Sequence, residues 1–320
     1  MKARTSGAFA MGTHRAQLTP LLVGSSWVMR AVRARLDRLA QLPWPVRIEG
    51  PTGSGKGVAA RLLHLQSPRR EAPFVALPVT MLSEGLELGQ LVGHARGAYT
   101  GAVVDRAGDV EAAHRGTLFL DEIGVATSRV QLVLLQLLEG EGIRRLGEQH
   151  VRLVDVRIVV ATNVALARAV LDGTFRSDLY HRLGKLVLRM PALAQHPTDI
   201  PEIARHLLRC KSQDVEWPIP PLGPAELAVL LAYPWPGNVR ELDSVLSHYA
   251  AFGELPDAVV RARRSRDWRD RIDAALCRNG GNKTWAAREL GISRKTLHEE
   301  LRARRLDGDV QSCNVTAPTL

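Results

Sequence analysis

A glycine-rich octapeptide at residues 50–57 reads Gly-Pro-Thr-Gly-Ser-Gly-Lys-Gly, after a short apolar run and at the start of a helix-like segment. Glycines in such a place let backbone N–H groups turn inward around a phosphate at a helix N-terminus. Lys56 would reach the β- and γ-phosphates of a nucleotide. A simple glycine-rich turn is the alternative. The residues predicted to bind the nucleotide are Gly50, Thr52, Gly53, Ser54, Gly55, Lys56 and Gly57.

Two adjacent carboxylates, Asp121 and Glu122, end the apolar run Thr117–Leu120. We predict that Asp121 holds Mg²⁺, directly or through water, and that Glu122 polarises the attacking water. A solvated pair of carboxylates that merely ends a strand is the alternative. The glycine-rich loop and the acidic strand end together favour nucleotide hydrolysis over binding alone.

Short apolar runs alternate with amphipathic segments along the chain. These elements would position the glycine-rich loop and the two carboxylates. The runs predicted as buried strands are Val46–Ile48, Phe74–Leu77, Thr117–Leu120, Val156–Ala161 and Leu186–Leu188. The helix-like periods between them are Val28–Leu42, Gly57–Leu65, Gln131–Leu138 and Val164–Asp172. This alternation predicts an α/β fold with a parallel sheet wrapped by helices.

After Pro191 the strand pattern ends and only helical periods continue. They are Ile200–Cys210, Pro224–Ala232, Val239–Ala251 and a last cluster at Arg269–Leu306. Between the last two, periodicity is lost and arginines gather, which indicates a basic linker. The predicted organisation is a disordered lead-in at 1–20, an α/β domain at 21–191, an α-helical lid at 192–252, a basic linker at 253–268, a last domain at 269–308 and a tail at 309–320.

The charge balance points to a polyanionic partner. The chain has 43 Lys and Arg against 33 Asp and Glu, a formal net charge of +10. A basic surface gains affinity for nucleic acid by releasing counterions from phosphate, although an arginine-favouring genome is the alternative explanation. The cysteines are far apart and fit a reducing cytoplasm. No apolar stretch approaches the ~18 residues of a membrane span.

The segment Gly93–Ala102 reads Gly-His-Ala-Arg-Gly-Ala-Tyr-Thr-Gly-Ala. It resembles the GAFTGA loop of bacterial enhancer-binding proteins, the AAA+ ATPases that activate sigma-54 RNA polymerase, with Tyr99 where the family usually has Phe. Glycines beside an aromatic residue allow a mobile tip that presents the ring to a partner. Alone, the segment would favour a glycine-rich hairpin with a packed tyrosine. The resemblance implies sigma-54 contacts by Gly97, Ala98, Tyr99, Thr100, Gly101 and Ala102.

Two further segments resemble the family's nucleotide sensors. Asp155–Asn163 resembles the strand that ends in sensor I, which implies that Asn163 contacts the nucleotide. Trp235–Leu242 resembles the sensor II signature, which implies that Arg240 lies at the γ-phosphate of its own subunit.

Phe175–Leu183 resembles the family's arginine-finger segment. The resemblance implies that Arg176 and Arg182 reach the nucleotide of a neighbouring subunit and stabilise charge on the transferring phosphoryl group. Taken singly, each arginine would more often be a surface salt-bridge partner. The family implies a homo-oligomeric ring, expected to be a hexamer, with ATP and Mg²⁺ at subunit interfaces.

The sequence departs from the family at several positions. Gly57 stands where the family usually has Glu, and where a P-loop usually has Ser or Thr for Mg²⁺. Pro78-Val79 replaces Asn-Cys, and that Asn is thought to hold the catalytic Glu in check. The remaining changes are Gln90 for Glu, and Ala194 and His196 for arginines. Since the core catalytic groups are kept, we expect altered coupling or regulation, including a slow ATPase.

Residues 281–297 resemble a Fis-type helix-turn-helix. Gly291 would make the turn and Ser293 would cap the recognition helix, with the next residues facing the groove or phosphates. Any helical hairpin with a glycine can mimic this pattern. Glu299 and Glu300 replace the usual basic residues, so DNA affinity is expected to differ. The predicted DNA-binding residues are Lys283, Thr284, Ser293, Arg294, Lys295, Thr296, His298 and Arg302.

These resemblances imply a cytoplasmic activator that hydrolyses ATP to remodel the closed complex of sigma-54 RNA polymerase while bound to upstream double-stranded DNA. One alternative is a DNA-binding regulator of the same family that no longer drives sigma-54. Another is a generic AAA+ remodelling enzyme such as a helicase loader. Residues 1–20 are too few for a receiver or ligand-sensing domain, so control is expected from a partner protein, from expression level, or not at all.

Overall fold

The computed structural model describes residues 22–82, 85–99, 101–184, 186–292, 294–295, 297–298 and 301, with the backbone alone for 262–269. The predicted lead-in at 1–20 and the predicted tail at 309–320 lie outside the described residues.

The strands are β1 (Val46–Glu49), β2 (Phe74–Pro78), β3 (Gly93–His94), β4 (Arg106–Ala107), β5 (Thr117–Asp121), β6 (Arg157–Thr162) and β7 (Val187–Arg189). Five of them form one sheet in the order β2-β5-β6-β1-β7, and every pairing in it is parallel. β3 and β4 form a separate antiparallel pair. The predicted parallel sheet is confirmed, and each predicted strand end shifts by at most one residue.

The helices are α1 (Trp27–Ala40), α2 (Lys56–Leu65), α3 (Glu87–Val92), α4 (Asp109–Ala112), α5 (Ser128–Glu139), α6 (Leu166–Leu171), α7 (Ser177–Arg182), α8 (Ile200–Lys211), α9 (Pro224–Ala232), α10 (Asn238–Phe252), α11 (Asp257–Arg278) and α12 (Lys283–Glu289).

Helices cover both faces of the sheet, because the central strands β5 and β6 are buried at nearly every position. Leu118 and Leu120 of β5 face one apolar cluster, with residues of α5 and α7. Phe119, between them, faces a second cluster with residues of α1 and α2. Successive side chains of a strand point to opposite faces, so a continuous apolar run needs helices on both sides.

A buried arginine ties the phosphate-loop helix to the sheet. Arg157 of β6 is 2% exposed, and its guanidinium donates to the carbonyls of Leu39 (2.7 Å), Ala40 (3.1 Å) and Leu63 (3.3 Å). These carbonyls lie in the last turns of α1 and α2, where intrahelical donors run out. Burial lowers the pKa of Arg157 to about 10, so the group stays charged near neutral pH. It fixes the ends of both helices.

The described residues form two compact units. One comprises the residues up to Leu222 together with Pro234–Glu254, and it contains the sheet, α1–α8 and α10. The other comprises Gly223–Tyr233 and the residues from Leu255 onward, with α9, α11 and α12. The boundaries drawn from the sequence remain predictions.

The basic linker predicted at 253–268 is wrong as local structure, because α11 runs without a break from Asp257 to Arg278. Asp257–Arg278 contains neither proline nor glycine, and its many arginines and alanines have high intrinsic helix propensity. A helix therefore forms without the apolar periodicity on which the prediction relied.

Candidate active site

The glycine-rich loop joins β1 to α2. Gly55 adopts a left-handed conformation (φ +90) and precedes Lys56, the first residue of the helix. No side chain caps this helix, so its first N–H groups point into the loop without a side-chain acceptor. Such an end favours a phosphate.

Lys56 lies at the centre of a group of charged side chains. Its Nζ donates to the carbonyls of Gly50 (3.0 Å) and Pro51 (3.1 Å), which holds the ammonium inside the loop. Burial lowers the pKa of Lys56, the carboxylates of Asp121 and Glu122 raise it, and the guanidinium of Arg240 lowers it. The loop follows β1 and Asp121 ends β5, and these strands are parallel in one sheet, so the loop and the acidic pair lie at the same edge of the sheet.

The acidic pair occupies the end of β5. Glu122 has a left-handed backbone (φ 59), and its N–H donates to Asp121 Oδ1 at 3.0 Å. A non-glycine residue in this conformation is strained, and such strain clusters at functional sites. Pro78 of β2 lies opposite Asp121 in the register, and proline offers neither an N–H nor a polar side chain there.

The site is suited to Mg²⁺ held by few protein groups. Among the described residues, no three His, Cys, Asp or Glu side chains are grouped to hold a metal ion. A Cβ built on Gly57 has no atom within 4 Å, so the position of the usual P-loop hydroxyl is open space. Mg²⁺ typically keeps several waters and uses one or two carboxylates plus substrate phosphates, and Asp121 is the carboxylate predicted to supply such a ligand here.

Both predicted sensor residues approach the loop. Asn163 follows β6, and its Nδ2 donates to Thr52 Oγ1 at 3.0 Å. Arg240 lies in the first turn of α10, whose start packs on Gly53 through a hydrogen bond from Val239 N to Gly53 O at 3.0 Å.

The two predicted arginine fingers are exposed and make their ion pairs elsewhere. Arg176 forms a bidentate pair with Asp178 (2.7 and 3.1 Å), and Arg182 contacts Glu139 at 3.3 Å. The hydrogen bond from Arg176 lowers the pKa of Asp178. Buried Gln131 fixes the backbone here, because its Oε1 accepts from Arg176 N at 2.8 Å. Sequence reasoning missed Gln131, which looked like one polar residue in an amphipathic helix.

The predicted sigma-54 loop is a hairpin between β3 and β4. Gly97 N donates to Ala102 O at 2.8 Å and closes the tip. The Tyr99 side chain is 40% exposed, with its ring edge-on to His94 at 5.1 Å. Val103 and Val104 beside it are also exposed, a feature the sequence reasoning did not single out. Thr100 lies outside the described residues.

The predicted helix-turn-helix has a small core of its own, made by Ile272, Ala275, Ala286, Ala287 and Leu297. Asn282 caps α12 by accepting from Thr284 N and Trp285 N, and Gly291 takes the left-handed conformation of a turn (φ +70).

The described residues after this turn, Arg294, Lys295, Leu297, His298 and Leu301, are helical. Of the predicted DNA-binding residues, Thr284, Arg294, Lys295 and His298 are exposed and Lys283 is half-buried. Ser293, Thr296 and Arg302, like Glu299 and Glu300, lie outside the described residues. Sequence reasoning missed the exposed Trp285, over whose ring Arg288 lies at 5.6 Å.

Three family matches cover most of the chain. Residues 22–189 match the Sigma-54 interaction domain, 194–263 the AAA+ ATPase lid domain and 269–303 the Fis family of bacterial regulatory proteins. None of the helices in the described part of the chain is long and apolar enough to cross a membrane.

Individual relatives agree with these matches. The chain is 40% identical to the C4-dicarboxylate transport transcriptional regulatory protein DctD of Pseudomonas aeruginosa, over 91% of this chain and 66% of the relative. It is 42% identical to the sigma-54-dependent transcriptional activator SfnR of Pseudomonas putida, over 85% of this chain and 73% of the relative. It thus spans about two thirds of the first relative's length.

Among solved structures, the chain is similar to NtrX from Brucella abortus in complex with ATP, with a TM-score of 0.68 and 31% identity. That likeness covers 88% of this chain and 68% of NtrX. The matches to the Sigma-54 interaction domain, the lid domain and the Fis family agree with the observed fold, a parallel sheet that carries a phosphate loop. The chain therefore belongs to the sigma-54-dependent transcriptional activators, with an AAA+ ATPase domain joined to a Fis-type DNA-binding domain.

Proposed function

We propose that this protein hydrolyses ATP and uses the reaction to remodel the closed complex of sigma-54 RNA polymerase. The observation that carries the proposal is that the glycine-rich loop with Lys56 and the acidic pair Asp121 and Glu122 lie at one edge of the parallel sheet, and that Arg240 packs against Gly53 of the loop. A cradle of N–H groups, two cations and two carboxylates is the set that phosphoryl transfer to water requires.

Each residue of the set has a distinct task in this proposal. Loop N–H groups and Lys56 bind the β- and γ-phosphates, and Glu122 orients the attacking water and polarises its O–H bond. Mg²⁺ would be held by Asp121 and would neutralise charge on the phosphates. Asn163 and Arg240 sit beside the terminal phosphate, where charge changes most during transfer.

Arg176 and Arg182 are assigned to a neighbouring subunit's site. Both are exposed, and their ion pairs are to Asp178 and Glu139. Surface ion pairs contribute little stability, so either arginine can exchange its partner for a phosphate across an interface at low cost. A homo-oligomeric ring, which we infer to be a hexamer, would complete the site in the cytoplasm.

The loop Gly97–Ala102 is assigned to sigma-54 and the last domain to upstream double-stranded DNA. Exposed Tyr99, Val103 and Val104 give the hairpin tip an apolar surface, which suits a protein partner. Exposed Arg294, Lys295 and His298 follow the turn at Gly291, where a recognition helix meets DNA.

A second candidate is a DNA-binding regulator of this family that no longer drives sigma-54. Its support is Pro78, which gives Glu122 no polar partner from β2, together with the open space at Gly57. An open-complex assay with sigma-54 RNA polymerase separates the two candidates. The activator opens a sigma-54 promoter with ATP but not with ADP, whereas the regulator binds the same DNA and opens nothing under either condition.

A further inference from the structure

Thr52 of the phosphate loop is held by two asparagine side chains. Asn163 Nδ2 donates to its hydroxyl at 3.0 Å, and Asn238 Nδ2 donates to its carbonyl at 2.9 Å. Asn163 is exposed, whereas Asn238 is 3% exposed. The Asn238 Nδ2 also lies 3.4 Å from the carbonyl of Pro236, so this buried amide has hydrogen-bond partners, without which its burial would be costly.

The side-chain oxygen of Asn238 also makes a hydrogen bond. Asn238 Oδ1 accepts from Leu193 N at 2.8 Å, so the side chain bridges the phosphate loop and the chain just before α8. The backbone of Asn238 is left-handed (φ 54), a conformation that asparagine tolerates better than most residues. Asn238 thus has a left-handed backbone and a side chain that both donates to the phosphate loop and accepts from Leu193 N.

The two backbones are also in direct contact beside this bridge. Val239 N donates to Gly53 O at 3.0 Å, and a Cβ placed on Gly53 would lie 2.2 Å from the carbonyl oxygen of Gly237. No side chain fits between the loop and the turn before α10. The loop and this turn therefore move together.

Arg240 follows Asn238 by two residues and lies in the first turn of α10. The Arg240 Cβ lies 3.0 Å from the position that a Cβ on Gly53 of the phosphate loop would take, and the Arg240 guanidinium lowers the pKa of Lys56. Two cations that face each other form a site for an anion with several negative charges. The distance at which Arg240 meets that anion is set by the turn that Asn238 holds.

We propose that Asn238 is a positioning residue that lets the site distinguish a nucleoside triphosphate from a diphosphate, by fixing Arg240 relative to the phosphate loop through Thr52. The inference rests on the proposed nucleotide site and adds to it how the terminal phosphate is recognised. The diphosphate is held by the loop and Lys56, which do not depend on Arg240.

Two variants separate the parts of this bridge. Asn238→Gly keeps a residue that accepts the left-handed backbone and deletes the amide. Asn238→Asp keeps the acceptor for Leu193 N and replaces the donor to Thr52 O with a carboxylate oxygen. The measurement is equilibrium binding of fluorescent ADP and of a non-hydrolysable ATP analogue to the full chain with Mg²⁺, together with thermal unfolding without nucleotide.

We expect both variants to lose about tenfold in the ratio of triphosphate to diphosphate affinity, roughly 1.4 kcal/mol, with ADP affinity kept within about twofold. An unchanged ratio in Asn238→Asp would overturn the inference, as would an equal loss for both nucleotides, which indicates mere support of the loop. If Asn238→Gly does not fold, Asn238→Asp decides alone. Wild-type protein that binds neither nucleotide contradicts the proposed function instead.

Discussion

At the scale of single residues, Glu122 has the most specific proposed role, which is to polarise the water that attacks ATP. It is held in a left-handed conformation by the end of β5, with Asp121 and Lys56 beside it. Replacing its carboxylate by an amide keeps the shape but removes the group that polarises water.

Glu122→Gln is therefore expected to keep ATP affinity and to lose turnover by about 100-fold or more. Steady-state ATPase and nucleotide binding measure the two properties separately. The matched control is Glu141→Gln, which makes the same change at an exposed position and should leave both unchanged. Wild-type turnover in Glu122→Gln would remove Glu122 from the mechanism.

Gly57 permits a gain-of-function test at the same scale. A Cβ added there meets no atom within 4 Å, so Gly57→Ser can place a hydroxyl where P-loops usually bind Mg²⁺. We expect the Mg²⁺ concentration for half-maximal ATPase to fall several-fold. Gly57→Ala, which adds a side chain without a hydroxyl at the same position, should show no such change. Identical Mg²⁺ dependence in Ser and Ala variants contradicts this account of the site.

At the scale of elements, Arg157 holds the carboxyl ends of α1 and α2 against β6. Arg157→Met removes the donors and leaves three buried carbonyls without that partner. We expect the free energy of unfolding to fall by about 3 kcal/mol in chemical denaturation. Arg38→Met, at an exposed position in the last turn of α1, is the control and should change it by less than about 0.5 kcal/mol. Equal stability of the two variants would show that Arg157 fixes neither helix.

The elements also show how far the sequence alone could lead. Apolar runs such as Thr117–Leu120 and Val156–Ala161 predicted the central strands β5 and β6 within one residue, because burial on both faces leaves a clear pattern. The role of Arg157 was invisible, since nothing local reveals that a strand arginine reaches two helix ends. The helix α11 was missed because its helicity comes from propensity and not from periodicity.

The residues of the candidate site could be predicted from the sequence, but the hydrogen bonds that hold them in place could not. Lys56, Asp121, Glu122 and Arg240 were found from motif spacing and resemblance, and the structure brings their charges together. The bridge from Asn238 to Thr52 could not be found, because it joins positions 186 residues apart. Trp235-Pro236-Gly237-Asn238, where α10 begins, was the only local signal of a special turn.

At the scale of the whole molecule, the proposed ring requires each site to take groups from two chains. Lys56→Ala and Arg182→Ala subunits should each be inactive alone, and their mixture should regain part of the ATPase, because some interfaces then combine an intact loop with an intact arginine. A mixture of Lys56→Ala with Glu122→Gln is the control and should stay inactive, since both changes damage the same side of the interface. An inactive first mixture under conditions of assembly would contradict sites shared between subunits.

The central claim is that ATP hydrolysis reaches sigma-54 through the hairpin that carries Tyr99, and promoter opening by variants of that residue tests it most directly. Open complexes are counted with sigma-54 RNA polymerase, promoter DNA and ATP, beside the ATPase rate of each protein. We predict that Tyr99→Phe opens the promoter like wild type, because the exposed ring is kept, and that Tyr99→Ala keeps its ATPase but opens none. Normal opening by Tyr99→Ala would show that this loop is not the coupling element.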